Sequence, residues 1–152
     1  MKNIWSIICS RAVVDSNTNT LSLFDCVDEA IVGFPSVEEM TKPKKNIPAS
    51  FTIASLWVNE DSSKEKKFNQ LIEIYDPNNK KIGDFSNDQV FEKNKKRLRT
   101  LLNFNGMEIT DEGQYTIVVK YKEVGEKYLV VSELPLDIKF TINLPVEKIN
   151  NK

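Results

Sequence analysis

Residues 113–121, GQYTIVVKY, set Tyr115, Ile117, Val119 and Tyr121 on one side of an extended chain. Gln114, Thr116, Val118 and Lys120 fall on the other. This two-residue period belongs to a strand with one buried face. It recurs at 51–58, where Phe51, Ile53, Ser55 and Trp57 alternate with Thr52, Ala54, Leu56 and Val58. A helical period appears nowhere over a useful length. With turn signals at intervals of about 8–12 residues, the pattern predicts a sandwich or barrel built only of strands.

The remaining segments fit that frame. Ile4–Val14 and Leu21–Ile31 flank the polar run DSNTNT and read as a hairpin. Neither face of the second arm is cleanly apolar, so a bulge or mixed environment is expected there. Residues 33–48 hold Pro35, Pro43 and Pro48 and read as the longest connection. Within it Ser36 is placed to cap a single helical turn at Glu39. Asp76-Pro77-Asn78-Asn79 carries the chemistry of a type I turn, and Pro77 is its pivot. Residues 86–94 read as a polar loop. Leu98, Thr100, Leu102 and Phe104 are expected to face inward, with Arg97, Arg99 and Leu101 outward. Gly125 marks a hairpin turn, and residues 129–142 read as one long strand or two broken at Pro135. One domain over 1–145 with a polar tail at 146–152 is expected.

Composition narrows the function. The chain has no histidine, which removes the commonest general base and zinc ligand and the standard forms of the Ser-His-Asp and Cys-His sites. Its five glycines form neither a dinucleotide fingerprint nor a P-loop. No enzyme activity and no cofactor or metal are expected. The 21 basic and 22 acidic residues leave a net charge of −1, so bulk charge attracts neither nucleic acid nor anionic lipid. The run from Ile4 to Cys9 is short for a signal peptide and ends at Arg11, and no stretch approaches a membrane span. A cytoplasmic protein is expected. In that compartment Cys9 and Cys26 read as two buried thiols near each other across the hairpin, with a disulfide as the alternative.

Few residues offer chemistry. Lys93, Lys95, Lys96, Arg97 and Arg99 form the densest charge run, KNKKRLR. It reads as a solvated loop entering an edge strand, where lysine blocks edge association, or as a patch for nucleic acid or an acidic partner. The interleaved aromatic residues of single-strand binders are missing from it. Asp25, Asp28 and Glu29, and Glu108, Asp111 and Glu112, are carboxylate groups of the kind that hold calcium in sandwich loops, without the spacing of a regular site. Trp57 reads as core, and Trp5 is open between core and surface.

In chain order, IIC, LSLFD, Pro35, IEIYDPNNKKI, DEGQYTIVVKY and LPLDIKF resemble an uncharacterised family of small bacterial immunoglobulin-like β-sandwich domains. The resemblance covers roughly residues 4 to 142. It implies an immunoglobulin-like sandwich of about seven to nine antiparallel strands and no enzyme activity. Asn79 stands where a turn glycine is usual. In immunoglobulin domains the strand-opening tyrosine is followed two residues later by a disulfide cysteine, where this chain has Ile117. Gly113 would permit the turn, Tyr115 would return its hydroxyl to the backbone just upstream, and Ile117 would fill the core. The reading that follows is a non-enzymatic intracellular domain that binds a protein partner through loops or an edge strand. The alternatives are nucleic-acid binding through 93–99, or a calcium- or carbohydrate-binding module if the chain is exported.

Overall fold

In the computed structural model, which describes residues 1–143, the alternating segments are strands of two stacked sheets. The strands are β1 (Lys2–Val14), β2 (Leu21–Cys26), β3 (Glu29–Phe34), β4 (Lys45–Val58), β5 (Lys66–Tyr75), β6 (Lys81–Phe91), β7 (Arg97–Ile109), β8 (Gly113–Glu123) and β9 (Leu129–Ile142). One helical turn, α1 (Val37–Met40), follows β3, and Ser36 Oγ accepts the Glu39 N–H at 3.3 Å as its N-cap. The four-stranded sheet runs β2-β1-β4-β7 and the five-stranded sheet β3-β9-β8-β5-β6. This is the expected all-β sandwich. Its one departure from antiparallel order is the parallel pairing of β3 with β9.

The core lies where the period-two faces of both sheets meet. Ile53, Ser55 and Trp57 of β4 and Tyr115, Ile117 and Val119 of β8 are fully buried. Trp57 packs tilted on Phe68 at 5.1 Å and edge-on to Tyr121 at 5.6 Å, and its Nε1–H donates to Thr100 Oγ1 at 3.1 Å. The indole thus places its large apolar surface in the core and still satisfies its one donor.

The corner before β8 joins two of the predicted turn elements. Tyr115 Oη accepts the N–H groups of Thr110 at 2.9 Å and Asp111 at 3.2 Å, and donates to Asp111 O at 2.8 Å. Gly113 has φ +135°, and a Cβ there would stand 3.1 Å from Pro77 Cβ and Cγ. Glycine is therefore required both for its dihedral and for the close approach of the 76–79 turn. In that turn Asp76 Oδ1 accepts the N–H groups of Asn78 and Lys80, each at 2.9 Å, and Asn79 takes φ +60° in the place of glycine.

Three expectations need correction here. The second arm of the hairpin stops at Cys26 rather than Ile31: Asp25 turns to φ +47°, Val27 N–H binds Ile8 O, and the chain crosses to the other sheet as β3. Residues 86–91 are strand, not loop. As half of an edge strand they solvate their polar side chains while Phe91 is buried. Pro48 lies inside β4, at a register shift between Ile47 and Ser50, where β1 no longer pairs with β4 and the missing N–H breaks no ladder. Of the two readings of residues 129–142, the single strand is the one found: Pro135 leaves β9 whole, because β3 pairs with β9 only from Asp137 onward. The tail at 146–152 lies outside the described residues.

Candidate functional site

The first hairpin does not continue in the plane of its sheet. β1 pairs with β4 only as far as Cys9. Run straight at about 3.3 Å per residue, Val14 would lie roughly 30 Å beyond Trp5. Instead Val14 and Trp5 line one groove, and the hairpin tip reaches β7, where Arg99 Nη1 donates to Asn19 O at 2.7 Å and Oδ1 at 3.2 Å. The hairpin is thus an arm folded back across the outer face of the four-stranded sheet.

The face it crosses is apolar. Trp5 opposes Leu56, and Leu56 opposes Arg99, so the three form a row across β1, β4 and β7. Leu21 and Leu23 of the arm face this row over a groove of about 890 Å³. The opposite face of the arm, with Val13 and Phe24, is exposed, and Arg11 lies 4.6 Å over the Phe24 ring.

The sequence-predicted basic run divides at this groove. Lys95, Arg97 and Arg99 line it, and no carboxylate does. Lys93 and Lys96 are exposed outside it, in the link between β6 and β7. That link is a tight turn: Asn94 has φ +66° and donates to Ser62 O at 2.8 Å, and Lys96 O accepts the Asn59 N–H at 3.0 Å. Lys95 pairs with Glu92 at 2.6 Å, and Arg99 is held by Asn19. Arg97 is exposed and forms no ion pair among the described residues. β7 is an edge strand, with Arg97 and Arg99 on its outer face.

Sequence reading missed Trp5, Leu21, Leu23 and Leu56 as parts of one site. Sheet pairing sets Trp5 and Leu56 beside β7, and the fold-back of the arm adds Leu21 and Leu23. The sequence signals for the fold-back are slight: a polar hairpin tip and the mixed face of β2. The predicted structural residues Gly113, Tyr115 and Pro77 gather at the corner, while Ile117 and Trp57 are core, away from the groove.

A second groove, of about 650 Å³, lies between β3 and the start of β4. Its lysines are already engaged: Lys42 by Glu39 at 2.5 Å, Lys44 by Glu108 at 2.8 Å, and Lys45 by Thr110 O at 2.5 Å. The carboxylate clusters disperse in the same way. Glu29 pairs with Lys139 at 2.6 Å, and Glu112 accepts the Phe140 N–H at 2.5 Å. Among the described residues no group of three carboxylate or cysteine side chains is arranged to hold a metal ion.

No family model matches the chain, and no curated protein matches it. A solved structure of a β-glucuronidase from glycoside hydrolase family 2 is similar over 66% of this chain and 10% of that one. The identity is 18% and the TM-score 0.42. The chain thus covers about a tenth of the length of that enzyme. No helix among the described residues is long and apolar enough to cross a membrane.

Proposed function

We propose that this chain is a non-enzymatic β-sandwich binding module. It takes an extended acidic and apolar segment of a partner protein beneath the hairpin arm. The observation that carries this reading is Arg97, an exposed cation with no ion-pair partner among the described residues, at a groove that joins Trp5, Leu21, Leu23 and Leu56 to Lys95, Arg99, Asn19 and Thr20. Leu21, Leu23, Leu56 and Trp5 offer surface to apolar side chains, and Arg97 a bidentate partner to a carboxylate. An extended chain suits the groove, because its alternate side chains separate into one apolar and one acidic row. Nucleic acid is the weaker fit. One aromatic residue among leucines is not a stacking platform, and the net charge gives no long-range pull.

The test is fluorescence anisotropy with a labelled synthetic peptide in which Glu and Leu alternate. Binding should weaken as salt is raised, by screening. Arg97→Glu should weaken it at least tenfold while leaving the fold intact. Equal affinity of the wild type and Arg97→Glu, or tighter binding of oligothymidylate than of the peptide, would overturn the reading.

A further inference from the structure

Cys9 and Cys26 face each other directly across β1 and β2, at the root of the arm. Just beyond them the Val27 N–H donates to Ile8 O at 2.9 Å. That bond sets the cysteines in a non-hydrogen-bonded position, where facing Cα atoms stand about 4.5 Å apart and side chains come closest. The separation falls within the roughly 4.4–6.8 Å that a disulfide spans. Both thiols are free, and they differ in access. Cys9 is fully buried, with its Sγ 3.6 Å from Thr52 O, whereas Cys26 is exposed. The expectation of two buried thiols is thereby corrected: only one is buried.

We infer that Cys9 and Cys26 form a thiol–disulfide exchange site, with Cys26 the entry thiol and Cys9 the resolving thiol. The oxidant is a low-molecular-weight disulfide. The Cys26 thiolate attacks one sulfur of that disulfide, its S–S bond breaks, and one small thiolate leaves and takes up a proton. Cys9 then loses its proton and attacks the Cys26 sulfur of the mixed disulfide, expelling the second small thiol. Two protein thiols are oxidised to one disulfide while one small disulfide is reduced to two thiols. Burial pushes the Cys9 thiol up, so the resolving step quickens as pH rises. The bond would tie β2 to β1 where the ladder from β1 to β4 ends, fixing the angle at which the arm leaves the sheet. This inference does not depend on what the groove binds.

The experiment treats the whole chain with oxidised glutathione and follows intact mass and thiol titration. The wild type should lose the mass of two hydrogens and both titratable thiols, and dithiothreitol should restore them. Cys9→Ser should stop at a stable glutathione adduct on Cys26, and Cys26→Ser should stay unmodified. A wild type that keeps both thiols, ends as a stable glutathione adduct, or links to a second copy would overturn the inference. The wild-type result decides the matter even if either variant fails to fold.

Discussion

The two outer faces of this sandwich are built to opposite plans. On the five-stranded sheet, charges cancel locally. Glu73 on β5 is ion-paired with Lys120, lies 3.6 Å from Lys81, and accepts from Tyr75 Oη at 2.8 Å, while Lys81 also reaches Asp84 at 2.7 Å. Asn69 continues the pattern, donating to Asp88 at 2.7 Å and accepting from Tyr128 Oη at 2.7 Å. On the four-stranded sheet the corresponding surface is a row of Trp5 and Leu56, roofed by an arm and rimmed by a cation with no counter-ion. In charge the first plan makes a finished surface, although Ile31, Leu129 and Val130 are exposed on the same sheet. The second leaves a cation without an ion-pair partner beside apolar side chains, and the proposed binding face rests on that combination.

Substitutions test this contrast. The largest effect belongs to the core both faces share: Trp57→Ala should cost about 3–5 kcal/mol in urea unfolding, with a void between the sheets. A small loss there would mean that the indole is not central to the packing. Tyr115→Phe comes next, at about 2 kcal/mol, because the hydroxyl serves two N–H groups and one carbonyl of the corner. Its affinity for the acidic peptide should match the wild type when folded, and a loss of binding would tie the corner to the site.

On the finished face, Glu73→Gln should cost about 1 kcal/mol and leave binding unchanged. The ion pair with Lys120, and then the Tyr75 hydroxyl, hold the Glu73 carboxyl below its ordinary range against the opposing effect of burial. A depressed carboxylate contributes stability that is present above its unfolded pKa and lost as pH falls through the folded value. Wild type should therefore lose stability faster than Glu73→Gln on acidification below about pH 4.3. Parallel curves would show that the network carries no net stability. The smallest effect on stability is at the open face: Arg97→Glu should shift unfolding by no more than about 0.5 kcal/mol, as an exposed substitution outside any network.

The division between what could and could not be read in the sequence follows the same contrast. Local rules found the corner. The Asp-Pro turn, Gly113 and the alternation from Tyr115 are short-range, and each constrains its neighbours within a few residues. They also found the Ser36 cap and the inward face of β7. They failed where the chain changes sheets. Asp25 enters the left-handed region without a glycine to announce it, so the hairpin appeared to run on to Ile31. They failed again where an edge strand tolerates polar residues, at 86–91. The groove lay beyond them altogether, because Trp5, Leu56 and β7 meet only through long-range strand pairing, and Leu23 joins them only after an arm folds through an angle that no short motif encodes. The basic run was visible, but which of its five cations found a partner depended on the local turn that brings Glu92 to Lys95 and on the distant arm that brings Asn19 to Arg99.

The most direct test of the proposed binding face is a hydrogen-exchange footprint of the whole chain with the alternating Glu-Leu peptide. Bound peptide should slow exchange in the arm around residues 19–23 and at the start of β7 around 97–99, and leave β5 and β8 unchanged. Protection confined to the five-stranded sheet, or to the groove beside β3, would contradict the assignment of the binding face.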